Sequence, residues 1–282
     1  MSDLKNFFKI IQTGGDPNFK ISVLKSVPVA IYIVISMQFV AAIVGLPGKY
    51  WPSLLDITIP LSYLAGGILA ILLVLPMLNI SWDVIRKHIM NPTSMAMILL
   101  STMLYIFLLP FTEMIGSIVP TGGNDFLEKL YEMFRSNFEM MLDYKIAGFI
   151  TVCILAPIIE EILFRGILLR GLLQNGTSPI VAIIVSSLLF GAAHLNPWQF
   201  IAAGFLGAIF GFVYYRTRSL WLCMFLHALN NTISFVFMIK EGTLEGSVSN
   251  PNNFISVTIF FFLAIICGWI IYKLTKNKTE WS

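Results

Sequence analysis

Apolar residues run almost unbroken through eight stretches of this 282-residue chain, approximately 26–46, 57–78, 94–119, 146–172, 178–196, 198–215, 220–239 and 253–272. At 1.5 Å per residue each reads as long enough to cross the ~30 Å hydrocarbon layer of a bilayer as a helix. The breaks carry turn chemistry: Leu46-Pro47-Gly48, Asn91-Pro92, Asn175-Gly176, Asn196-Pro197 and Asn250-Pro251. The pattern predicts an all-α fold, a polytopic integral membrane bundle of about eight transmembrane helices. One segment departs from it. Within 121–145, Leu127, Leu130, Phe134, Phe138 and Met141 recur at three- and four-residue spacing, while Asp125, Glu128, Lys129, Glu132 and Arg135 cover much of the rest. That spacing predicts an amphipathic helix lying on the membrane surface or capping the bundle.

The expected organisation is a cytoplasmic N-terminal segment, 1–25, three transmembrane helices within 26–119, and the amphipathic loop helix within 120–145. A helical core follows at 146–239, then a last transmembrane helix and basic cytoplasmic tail at 240–282. Composition supports lipid as the solvent. The chain is 57% hydrophobic and 12% charged, about half the ~25% charge of a soluble domain. The net charge is +3 with scattered basic residues, which excludes nucleic acid as an expected partner. Cys153, Cys223 and Cys267 sit far apart in apolar runs and read as small buried hydrophobes. No cleavable signal is recognised, so the first apolar run is expected to be an uncleaved anchor. With the N-terminus inside, twelve of the eighteen Lys and Arg residues fall on the cytoplasmic side, five fall opposite, and Arg165 lies within span four. This bias predicts a multi-pass cell-membrane protein with both termini cytoplasmic.

The ionisable residues inside the spans are few: Glu113, Glu160, Glu161, Arg165, His194 and His227. A carboxylate at a helix centre costs about 2.5–3.5 kcal/mol, so such residues mark functional sites by default. In Ala156-Pro157-Ile158-Ile159-Glu160-Glu161-Ile162-Leu163-Phe164-Arg165, Glu161 and Arg165 are four apart and can pair on one face. Glu160 lies about 100° around and is expected to project free into the bundle as a candidate base. The alternative is a structural ion pair with a second, protonated glutamate. His194 closes Phe190-Gly191-Ala192-Ala193-His194, where small residues allow close approach of a backbone or substrate. It suits an interhelical hydrogen bond equally well. His227 and Asn231, four apart in span seven, share a face and can donate together to an oxyanion. Alone, they suit interhelical contact too. Counting from the cytoplasmic helix ends gives Glu160, His194 and His227/Asn231 depths of ~15, ~22 and ~12 Å, compatible with one site. A base, a second base or acid and two donors are the parts for water-mediated acyl hydrolysis.

These residues form an ordered trio of motifs, EEILFR as EExxxR, FGAAH as FxxxH and HALNN as HxxxN. The trio resembles the CPBP family of intramembrane proteases, also called the CAAX prenyl protease 2 or Abi family, in its bacterial branch. The likeness makes 146–239 a CPBP-type catalytic core. It implies that Glu160 and His194 activate a water and that His227 and Asn231 stabilise the oxyanion. Glu161 and Arg165 would hold the site's shape and charge. The family has also been labelled metalloprotease, with zinc held here by Glu160, His194 and His227. The residues come from separate spans, unlike the HExxH helix, which favours a metal-free glutamate mechanism without cofactor.

The expected substrate is a hydrophobic or lipidated peptide or protein in the bilayer, in peptide maturation or bacteriocin self-immunity. A proton-coupled transporter is a second class, disfavoured because no internal repeat relates the two halves. A non-catalytic scaffold or immunity protein is a third.

Overall fold

The computed structural model describes residues 15–241 and 254–276. Lys5 and Lys9 of the basic N-terminal segment, the Asn250-Pro251 break and Lys278 of the tail lie outside the described residues. Ten helices occupy the described residues: α1 Val23–Tyr50, α2 Leu55–Met77, α3 Trp82–Ile89, α4 Met95–Gly116 and α5 Asp125–Asp143. They continue with α6 Lys145–Gln174, α7 Pro179–Ala192, α8 Pro197–Thr217, α9 Leu220–Glu241 and α10 Phe254–Leu274. The chain is a polytopic helical membrane bundle.

Among the described residues seven helices are long and apolar enough to cross a membrane, against about eight expected. The exception is α7, whose 14 residues rise only about 21 Å. The apolar run at 178–196 is longer than its helix because Leu195 takes a left-handed backbone, φ 56°. A leucine rarely adopts that conformation, and it reverses the chain before the next helix starts. Asn196 then caps α8 by accepting from the Gln199 N–H, with Pro197 at the first helical position.

The helix carrying the glutamates is the centre of the molecule. Just over half of the apolar window of α6 is buried, 56%, against 17% for α1 and 22% for α10. Around it pack the α1–α2 and α7–α8 hairpins and α9, while α10 lies against α4. Many outward residues of the peripheral helices, such as Ile35, Phe39, Ile255 and Phe262, are exposed apolar side chains that suit lipid contact. The three cysteines are buried and unpaired to one another.

Two further helices close the ends. The amphipathic α5 buries none of its residues fully, but its aromatic stripe meets Trp198, with Phe134 stacked at 5.7 Å and Tyr131 at 5.1 Å. At the other end of α6, α3 docks through His88. Arg170 donates to His88 Nε2, and Nδ1 lies 2.9 Å from the Tyr214 hydroxyl. Burial first, then the charges of Arg170 and Arg218, hold the His88 imidazole down at about 3. It is therefore a neutral histidine at any ordinary pH.

Candidate active site

The local backbone of α6 decides where its glutamates point. Residues Ala156–Glu161 are α-helical between two π-helical segments, Ile150–Leu155 and Ile162–Leu169. In the first of these the Ala156 N–H bonds to Thr151 O, five residues back. The next bond of that ladder would come from residue 157, but Pro157 has no N–H, which orphans the Val152 carbonyl. Asn231 of α9 supplies the missing donor, its Nδ2 lying 2.8 Å from Val152 O. A broken helical ladder thus pins α9 against α6 about two turns from the glutamates.

Glu161 is wholly buried and pairs with Arg165 at 2.7 Å, both side chains being at most 1% exposed. Arg165 also donates to Gly207 O at 3.2 Å and sits over the Phe190 ring, 4.4 Å from its centroid. A Cβ on Gly207 would lie 3.2 Å from that guanidinium, so the glycine makes room for it. The second interaction of Glu161 is with His227, whose Nδ1 lies 2.9 Å from the same carboxylate oxygen. A carboxylate paired to arginine accepts only, so Nδ1 carries the proton and Nε2 is the ring's reactive nitrogen. That nitrogen lies 3.8 Å from Oε2 of Glu160.

Glu160 does not project free, as its position on the helix suggested. The hydroxyl of Tyr63, on α2, donates to Glu160 Oε1 at 2.6 Å. One carboxylate oxygen is anchored and the other faces His227. The charges of this cluster balance with one added proton. Glu160, Glu161 and Arg165 sum to −1, so a single proton on Glu160 or on His227 balances the group. Low-dielectric surroundings favour that balance, since an unpaired charge there is costly.

The remaining expected residues are placed differently from the sequence reading. His194 is not in the interior of a helix; it lies in the turn after α7, with Nδ1 3.0 Å from Phe190 O. It meets the cluster through the Phe190 ring, which stands edge-on to both His194 at 5.1 Å and His227 at 5.8 Å. The small residues before it do permit close approach: a Cβ on Gly191 would fall 2.5 Å from Phe200 O of α8. His227 and Asn231 do not present two unengaged donors to one point, since Nδ1 serves Glu161 and one amide N–H serves Val152. The amide retains a second N–H. Zinc would require Glu160, His194 and His227 around one point. Among the described residues no three His, Cys, Asp or Glu side chains are grouped so as to hold an ion.

Two residues of the cluster were not singled out by sequence for these contacts. Phe190 was read only as a motif position, yet its ring touches Arg165 and both histidines. Tyr63 carries one signal in the sequence, a Tyr-x-x-x-Gly spacing, Tyr63 to Gly67, on one face of α2.

Residues 143–233 match the family model described as type II CAAX prenyl endopeptidase Rce1-like. Among curated proteins, the chain is 33% identical over 87 residues to a putative membrane peptidase, YdiL, of Bacillus subtilis, covering 31% of this chain and 35% of that one. It is 32% identical over 111 residues to the membrane-embedded CAAX protease MroQ of Staphylococcus aureus, covering 37% and 44%. A third similar protein, the uncharacterised YyaK of Bacillus subtilis, is 29% identical over 150 residues, covering 46% and 50%. The chain thus spans a third to a half of the length of these relatives. No solved structure matches it significantly.

Proposed function

We propose that this chain, whose residues 143–233 match the Rce1-like family of type II CAAX prenyl endopeptidases and which is similar to bacterial membrane peptidases, is an intramembrane endopeptidase of the glutamate type. Glu160 is the base. Its Oε2 takes a proton from water as the water oxygen bonds to the scissile carbonyl carbon. The proton then passes to the departing amine as the C–N bond breaks. His194 is the second group on the water, acting through Nε2. His227, as an imidazolium held by Glu161, and the second amide N–H of Asn231 donate to the oxyanion. Glu161 and Arg165 fix the imidazole and balance its charge.

The observation that carries this reading is the divided environment of the Glu160 carboxylate, one oxygen bonded to Tyr63 and the other 3.8 Å from His227 Nε2. A carboxylate held in that way inside a membrane helix suits proton abstraction better than a structural ion pair. The substrate class is a hydrophobic or lipidated peptide or protein reached from the bilayer. The role is maturation of such a peptide, or self-immunity against one. Both termini lie on the cytoplasmic side.

The test is peptide cleavage by the purified, detergent-solubilised protein, comparing wild type with Glu160→Ala, with and without a strong zinc chelator. Cleavage that needs Glu160 and survives chelation is the expected result. Loss in chelator with recovery on added zinc would replace the metal-free mechanism. Turnover confined to soluble polar peptides would overturn the substrate class.

A further inference from the structure

We infer that Tyr63 is a positioning residue of the hydrolytic site, so that the α1–α2 hairpin, outside the matched segment 143–233, supplies part of the machinery. The inference rests on the reading of Glu160 as the base.

Three observations converge on it. The Tyr63 hydroxyl donates to Glu160 Oε1 at 2.6 Å, the short range of a charge-assisted O–H···O⁻ bond. A carboxylate on a helix has free torsions, and an unanchored one spreads its two oxygens over several orientations. The Tyr63 bond selects the one in which Oε2 faces His227. Second, Gly67 lies one turn from Tyr63 on the same face of α2. A Cβ there would fall 2.5 Å from Ile159 Cδ1 and 2.6 Å from Cγ2. The absence of a side chain at 67 lets α2 approach α6 at Ile159, next to Glu160. Third, Gly66 is as close on the other side, a Cβ there falling 2.6 Å from Met37 O of α1. The hairpin partner therefore backs α2 against the glutamate helix. Two adjacent glycines, each at a close approach, fix the distance at which a tyrosine hydroxyl reaches the carboxylate.

Tyr63 touches Glu160 and not the reacting atoms, so its effect is on turnover. In Tyr63→Phe, kcat for peptide cleavage is expected to fall about 10- to 100-fold, the worth of a hydrogen bond to a charged group. KM should stay within about twofold and the thermal unfolding midpoint should be near wild type. Gly67→Ala, which pushes α2 away while keeping the hydroxyl, should lower kcat in the same direction. A second readout does not need activity: labelling of Glu160 by a hydrophobic carbodiimide, read by mass spectrometry. That reagent reacts with protonated carboxyl groups. Removal of the donor to the carboxylate should speed labelling at Glu160 severalfold in Tyr63→Phe.

If Glu160→Ala is inactive while Tyr63→Phe retains full kcat, the inference is overturned and the base remains. If wild-type cleavage does not depend on Glu160, the proposed function falls. The labelling then judges the contact by itself, and equal rates in wild type and Tyr63→Phe would overturn it.

Discussion

Replacing Arg165 by methionine isolates the electrostatic core of the site. The guanidinium is 1% exposed and its partner Glu161 is 0% exposed, with 2.7 Å between them. Methionine fills similar volume and keeps a contact with Phe190, so the main loss is the charge. Removing one partner of a buried pair leaves the other uncompensated, a cost of about 3–5 kcal/mol. The lost bond to Gly207 O and the cation–π contact at 4.4 Å fall within that figure. Glu161→Gln should restore the balance, because glutamine still accepts from His227 Nδ1 and carries no charge to offset. The Glu161→Gln/Arg165→Met double variant is thus expected to be more stable than Arg165→Met alone. The coupling energy should be about 2 kcal/mol or more, near the upper end for residues in one network. The assay is thermal unfolding in detergent followed by size-exclusion homogeneity, for wild type, both single variants and the double. Additive losses, or a single-variant cost below about 1 kcal/mol, would refute the view that these charges compensate one another in a dry interior.

Asn231→Ala removes the donor to Val152 O along with the amide assigned to the oxyanion. It should lower kcat about 10²- to 10³-fold and destabilise the protein by about 1–3 kcal/mol, measured by cleavage kinetics and thermal unfolding. His88 is pushed down to about 3 by burial and by Arg170 and Arg218, while in the unfolded chain it titrates near 6.5. Between those values the unfolded chain binds the extra proton. The neutral His88 contribution is therefore full above about pH 6.5 and is lost as pH falls toward 3. Thermal stability of wild type relative to His88→Gln should decline over that interval; a pH-independent difference would contradict the buried neutral imidazole.

Period and composition made most of the bundle legible. An apolar run of twenty residues with hardly a charge has few alternatives to a membrane helix. The glutamate–arginine pair was equally legible, because a four-residue spacing on a helix fixes a contact without knowledge of the fold. What failed depended on backbone detail. Hydropathy overstates the reach of α7 because it continues through Leu195 while the backbone reverses there, and the Asn196-Pro197 cap is the one sequence signal of that reversal. The partner of Asn231 follows from a π-helical register meeting Pro157, which no apolar periodicity encodes. Tyr63 is not legible in the sequence, since a lone tyrosine in a span ordinarily suggests nothing beyond lipid-interface packing. Its role arises only when two helices distant in sequence are brought together.

The neutral arrangement of Glu160, Glu161, Arg165 and His227 has a consequence for bioenergetics. In the proposed cycle the balancing proton stays on His227, and a second proton passes from water to Glu160 and on to the departing amine. Its path stays within the surroundings of the Glu160 carboxylate. Turnover of that kind would carry no net charge from one face of the membrane to the other. A transporter built on the same intramembrane carboxylates would have to behave in the opposite way.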